Sequence, residues 1–99
     1  MKNREIARVF QDIANRLEHK KENFFKIRDY QKVARSIEQA PVEVEQLVAE
    51  DRLKEIPGVG EAITRKITEL VTIDKLDYYE KLKAESPEEV HSPRGQEAK

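Results

Sequence analysis

The sequence predicts an all-α domain, a compact bundle of four to five short helices, and three observations carry that prediction. Apolar residues recur at the 3, 4, 7 spacing of a helix face, as in Ile6, Val9, Phe10, Ile13 and Leu17. The alternation expected of a half-buried strand is weak throughout. The helical runs are separated by residues that cap or stop helices: Asn23, Pro41, and Pro57 with Gly58 and Gly60. With 99 residues, 37% hydrophobic and 39% charged, the chain buries one thin core and forms one domain.

Taken in order, Asn3 is a candidate N-cap for the first helix. Asn23 caps a second, with Phe24, Ile27, Tyr30, Val33, Ala34 and Ile37 as inward positions, and the helix ends before Pro41 because the residue preceding proline disfavours the α region. Val44, Leu47 and Val48 predict a short third helix, followed by a tight segment at Leu53 and Ile56 that stops at Pro57. Ile63, Ile67, Leu70 and Val71 mark a fourth helix, and Leu76, Tyr79 and Leu82 a fifth from about Lys75 to Ala84. Residues 1–85 therefore form the folded unit. The stretch "SPEEVHSPRGQEAK", 86–99, has two prolines and almost nothing apolar, which predicts a disordered tail or linker.

Composition excludes several classes of function. Without cysteine there is no disulfide framework and no thiolate metal site, which fits a reducing compartment, and cytoplasm is the default expectation. No apolar run approaches the roughly 20 residues that span a bilayer, so a soluble protein with no membrane partner is expected. The net charge of −1 gives no reason to expect nucleic acid, but its distribution is uneven. His19 to Arg35 holds Lys20, Lys21, Lys26, Arg28, Lys32 and Arg35 against Glu22 and Asp29, whereas Glu43 to Glu55 carries five acids against Arg52 and Lys54.

The most informative stretch is "LKEIPGVGEAITRKITEL", residues 53–70. A helix N-terminus leaves its first N–H groups unpaired and carries a partial positive charge, so it takes an anion wherever nothing bulky blocks approach. Gly58 and Gly60 remove the obstruction, Pro57 ends the preceding turn, and Val59 packs inward. The amides of Gly58, Val59 and Gly60 are then placed to meet one phosphate. The plainer alternative is a tight turn between two helices. A Rossmann loop would need a preceding strand and G-x-G-x-x-G, and a Walker loop a following G-K-[ST]; neither is present.

That stretch resembles the helix-hairpin-helix motif of DNA repair proteins and polymerases, here spanning 53–71. Together with "NREIARVFQDIANRLEHKKENFFKIRDYQKVARSIEQAPVEVEQLV" before it and "DKLDYYEKL" after it, the chain resembles the amino-terminal domain of family X DNA polymerases, especially the bacterial and archaeal form and more distantly DNA polymerase beta. The resemblance covers roughly residues 3 to 85; the chain is too short to hold a polymerase domain, so no polymerase activity is expected of it.

The resemblance implies non-sequence-specific binding of the DNA backbone at gaps, nicks, ends or single strands; a monomer, associated with the nucleoid, is the accompanying expectation. It implies a Na+ or K+ ion between a phosphate and the hairpin carbonyls, which by position are those of Lys54, Ile56 and Val59; no other cofactor is required. The family's basic helix maps onto "FFKIRDYQK", so that Lys26 and Tyr30 fall on the 5′-phosphate side, with Arg28, Lys32 and Arg35 neutralising phosphates and Arg65, Lys66 and Lys75 adding charge beside the hairpin. For the basic helix the alternative is a solvated face, and for Tyr30 a place in the core.

Some members of the resembled family cleave 5′-deoxyribose phosphate through a lysine Schiff base, and their lysine aligns with Lys66. Such a lysine must be neutral, which desolvation or neighbouring cations such as Lys26, Arg65 and Lys75 would favour. This sequence departs from the pattern at Ala62, where the family has an auxiliary lysine, at Phe25, where it has a histidine, and at Asp74, where it has a glycine. An ordinary exposed lysine is the alternative. His19 and His91 are too isolated for a metal site. A helical protein-interaction module, using the acidic stretch against a basic partner, is a third possibility.

Overall fold

A computed structural model describes residues 1–85, and the tail expected at 86–99 lies outside the described residues. The architecture is all-α: α1 Asn3–His19, α2 Phe24–Glu38, α3 Val44–Ala49, a single 3-10 turn at Leu53–Glu55, α4 Glu61–Ile73 and α5 Asp77–Glu85. None of these helices is long and apolar enough to cross a membrane.

The frame is the α1/α2 pair. Ile6, Phe10, Ile13, Ala14 and Leu17 form the buried stripe of α1, and Ile27, Tyr30, Val33, Ala34 and Ile37 that of α2. The two run antiparallel, as the short link between them requires. That link is set by the end of α1, where the Lys21 N–H donates to the Glu18 carbonyl and the Glu22 N–H to the Leu17 carbonyl, both at 3.0 Å. This Schellman pattern puts Lys21 in the left-handed region at φ 62°, a place that favours glycine. Asp51 after α3 and Asp74 after α4 take the same conformation, at φ 58° and 62°. Asp74 thus occupies the left-handed C-cap that glycine would more readily fill.

Three rings tie the helices together. Phe10 stacks on Tyr30 at a centroid distance of 6.0 Å, and Tyr30 on Tyr78 at 6.1 Å, forming a column from α1 through α2 to α5. Tyr30 is only 5% exposed, so the open choice between core and surface resolves to core. Burial, reinforced by Tyr78, pushes its phenol pKa up. Tyr79, also on α5, donates through its hydroxyl to Asp12, which pairs at 2.9 Å with the buried Arg16 and so fastens α5 to α1.

Local structure departs from expectation at three places. The Asn23 carboxamide oxygen caps α2 as predicted, accepting from the amides of Phe25 and Lys26 at 2.8 and 3.3 Å. This cap makes Phe24 the first helical residue, projecting from the opening turn, so it is 63% exposed rather than inward and sits edge-on against Phe25. Asn3 is not the cap of its own helix: it lies within α1, whose N-cap is Lys2. Its carboxamide reaches across the fold, donating to the Val42 carbonyl at 2.9 Å and accepting the Val44 N–H at 2.8 Å, and so caps α3 instead. α5 starts at Asp77 rather than Lys75 because buried Leu76 forms the link and the Glu69 carboxylate accepts the Asp77 N–H at 2.9 Å.

Replacing Asn3 by alanine leaves the Val44 N–H and the Val42 carbonyl without their partner. Asn3→Ala is expected to lower stability by about 1–3 kcal/mol, measured by chemical denaturation. An effect below a few tenths would show that water replaces the contact at no cost.

Candidate nucleic-acid interface

The hairpin is built from two successive turns. The Ile56 N–H donates to the Leu53 carbonyl at 3.0 Å, closing the 3-10 turn, and the Val59 N–H donates to the Ile56 carbonyl at 3.1 Å. With Pro57 second and Gly58 third at φ 88°, the segment Ile56 to Val59 has the signature of a type II β-turn, whose third position demands positive φ. Ile56 and Val59 are buried while Pro57, Gly58 and Gly60 remain outside.

This geometry corrects one expectation. The Val59 amide is spent inside the turn, so it is not among the free donors. Gly60 is the N-cap of α4: its carbonyl accepts the Thr64 N–H at 2.9 Å, and no side chain caps the helix. Among the described residues the N–H groups of Gly58, Gly60, Glu61 and Ala62 receive no acceptor from the protein. The sequence reading passes over Glu61 and Ala62, although the first N–H groups of a helix beginning after Gly60 lack intrahelical partners, and Pro-Gly at the centre of a turn implies that the Val59 amide closes it. The Ile56 carbonyl, one of the three proposed cation ligands, accepts that same bond and keeps one lone pair, whereas the carbonyls of Lys54 and Val59 take part in none of these turn bonds.

The two glycines differ. A Cβ on Gly58 would meet the Lys32 side chain at 3.4 Å and would be strained at φ 88° in any case. A Cβ on Gly60 would find nothing within 4 Å, and its φ of −102° is open to any residue.

The close approach of Lys32 to Gly58 brings α2 to the hairpin. Arg28, Lys32 and Arg35 share one side of α2, lining a depression with Phe25, Gln31 and Asp29, and Arg28 lies over the Phe24 ring at 5.7 Å. On the other side Lys26 and Lys66 both sit over Tyr78, at 5.8 and 4.8 Å from its centroid. Tyr78 is the site residue that sequence reasoning overlooked, since helical spacing from Leu76 selects Tyr79 and nothing local reveals that its neighbour meets Lys66. Arg65 pairs with Glu61 at 3.2 Å in full view of solvent, an interaction of little energetic weight. Lys75 is exposed and does not line the Lys66 groove, which Lys81, Asp77 and Ala62 border instead.

Electrostatics separates Lys66 from the other cations. Burial first, then the charges of Lys26 and Arg65, hold its ammonium below the usual lysine range, with Glu69 opposing. The acidic stretch, by contrast, has a cation of its own: Arg52 bonds Glu50 at 2.6 Å and Glu55 at 2.8 Å, drawing both carboxyls to lower pKa. Among the described residues no group of three or more His, Asp or Glu side chains is arranged to hold a metal ion.

A small all-α domain that leaves the amides at the start of one helix open, beside a cationic helix, belongs to the class of helical-hairpin nucleic-acid-binding modules. The chain is a member of the helix-hairpin-helix domain family, whose model matches residues 1–76, that is, α1 to α4 with the hairpin. Domains of this family generally bind DNA. No curated protein matches the chain.

Because the folded state holds the Lys66 proton less tightly than the unfolded chain does, the protonation of this residue disfavours folding at neutral pH. That penalty is relieved as pH rises through the depressed folded pKa towards the ordinary 10.5. Direct NMR titration of the Lys66 Nζ is expected to give a midpoint below 10.5, and Lys26→Gln to move it upward. An unchanged midpoint in that variant would remove Lys26 as a cause.

Proposed function

We propose that the domain grips the phosphate backbone of DNA at gaps, nicks, ends or single strands, with the hairpin amides on one phosphate and α2 neutralising its neighbours. The observation that carries this reading is Gly60. Neither its backbone angles nor any neighbouring atom of the protein requires a glycine there, yet it stands beside the unpaired amides of Glu61 and Ala62. Open space that the fold does not need suits a ligand that approaches the backbone closely. The donors are Gly58, Gly60, Glu61 and Ala62, and Lys26, Arg28, Lys32, Arg35 and Lys66 supply the surrounding charge. Arg65 and Lys75 contribute at longer range from the rim. A Na+ or K+ ion held by the carbonyls of Lys54, Ile56 and Val59 would bridge a second phosphate oxygen; these neutral oxygen ligands suit a hard monovalent cation. The preference for interrupted DNA follows from the resemblance to the amino-terminal domain of family X polymerases, and the domain acts as a monomer.

A side chain at Gly60 fills the approach without straining the fold, whereas one at Gly58 would strain it. Gly60→Leu is therefore expected to keep a folded domain, at a cost of about 1 kcal/mol for the poorer cap, while weakening binding to gapped DNA at least tenfold. Titrations against labelled gapped, nicked, intact and single-stranded DNA at low salt measure this. Unchanged affinity in Gly60→Leu, or no binding by the parent protein, would overturn the reading.

The depressed Lys66 ammonium favours a second reading, a 5′-deoxyribose-phosphate lyase. The neutral amine would add to the sugar aldehyde with loss of water, giving an imine that borohydride reduces to a stable secondary amine. A trapped adduct that disappears in Lys66→Ala while DNA binding persists is the expected outcome; no adduct with the parent protein would exclude the activity. Alanine at 62 and phenylalanine at 25 keep this reading second.

A further inference from the structure

The proposed interface ends at α2, but the cations do not. We propose that the groove between α1 and α2 is a second phosphate track, in which Arg4 and Arg8 of α1 and Arg35 of α2 hold a single nucleic-acid strand as it runs on from the hairpin. The direction of that strand rests on the hairpin reading above.

Arg4, Arg8 and Gln11 follow one another at helical spacing along one edge of α1, and Gln31, Arg35 and Glu38 do so along the facing edge of α2. The groove between them, ≈ 290 Å³, is floored by Ala7 and Ala34. Two alanines at the helix crossing leave the surface low, so the longer side chains stand as walls. Arg4 and Arg8 are one turn apart, a rise of about 6 Å, which lets two guanidinium forks engage neighbouring phosphates of one strand.

These arginines have no internal task. Arg16, Arg52 and Arg65 all form ion pairs, while Arg4, Arg8 and Arg35 form none among the described residues. A solvated surface also leaves arginines unpaired, but it does not set them on opposite walls of one groove with amide side chains between and a single carboxylate, Glu38.

Continuity then selects the occupant. Gln31 and Arg35 line both this groove and the depression that holds Arg28 and Lys32, and the Lys32 stem lies where a Cβ on Gly58 would touch it. From Gly58 the cations thus run through Lys32 and Arg35 to Arg8 and Arg4. Along that path five cations face two carboxylates, Asp29 and Glu38, although the chain as a whole carries −1. A polyanion that starts at the hairpin fits this path, and a phosphodiester strand is such a ligand.

The test is a length series of oligothymidylates bound at several salt concentrations by the parent protein, Arg4→Gln/Arg8→Gln, Arg4→Lys/Arg8→Lys and Gly60→Leu, with each fold checked by circular dichroism. Affinity of the parent is expected to keep rising with length where the glutamine variant levels off. On the longest strand the salt slope of that variant should be smaller by about 1.4, two phosphates at roughly 0.7 each. The lysine variant should retain the parent slope. Parent-like length dependence and slope in the glutamine variant would overturn the proposal, as would an equal loss on the shortest and longest strands. Weakening by Gly60→Leu alone overturns the track and leaves the hairpin grip standing; weakening by the glutamine variant alone supports the track and overturns the grip.

Discussion

The burial of Ile56 and Val59 beneath a turn whose glycines stay outside is the constraint on which the rest of the site depends. Each buried side chain contributes about 1.5–3 kcal/mol, enough to hold the turn against the entropy of a short loop. With those anchors fixed, one bond between Val59 and Ile56 closes the turn, Gly58 takes the positive φ, and Gly60 starts α4 with its first amides pointing to solvent. Unpaired backbone donors are tolerable there because water can serve them. The same anchoring places Gly58 beside Lys32 and so sets the position of the basic helix relative to the hairpin.

The use of glycine sharpens this point. Three helix ends take the left-handed conformation at Lys21, Asp51 and Asp74, where glycine would relieve strain, and none of them has it. Gly60, where the backbone permits any residue, is glycine. The chain thus accepts modest strain at structural caps while leaving the hairpin clear. Charge is distributed with a similar division: Arg52 engages Glu50 and Glu55 on the acidic segment, whereas the cations of α2 face outward. A net charge near zero therefore conceals a cationic surface beside the hairpin.

Much of the fold was legible in the sequence, because long amphipathic stripes such as Ile6 to Leu17 have only one good solution. Boundaries and caps were less so. Asn3 read as the cap of its own helix because sequence shows only neighbours along the chain, while its carboxamide serves α3 across the fold. Phe24 read as core because it fits the apolar spacing, but the cap at Asn23 fixes it to the opening turn, where the stripe has not yet met α1. In the site, Pro57, Gly58 and Gly60 identified the hairpin, yet which amides remain free depends on the turn bond of Val59. The meeting of Lys26 and Lys66 over Tyr78 joins three separate helices, and no local signal contains it.

The most direct measurement of the central claim is an amide-resolved NMR titration of the domain with a short gapped duplex at low salt. The largest shifts are expected on the amides of Gly58, Gly60, Glu61 and Ala62, with smaller ones along α2, while the Val59 amide, already bonded to Ile56, exchanges slowly with solvent before and after DNA is added. Shifts centred on α3 and the acidic segment, with the hairpin amides unmoved, would contradict it.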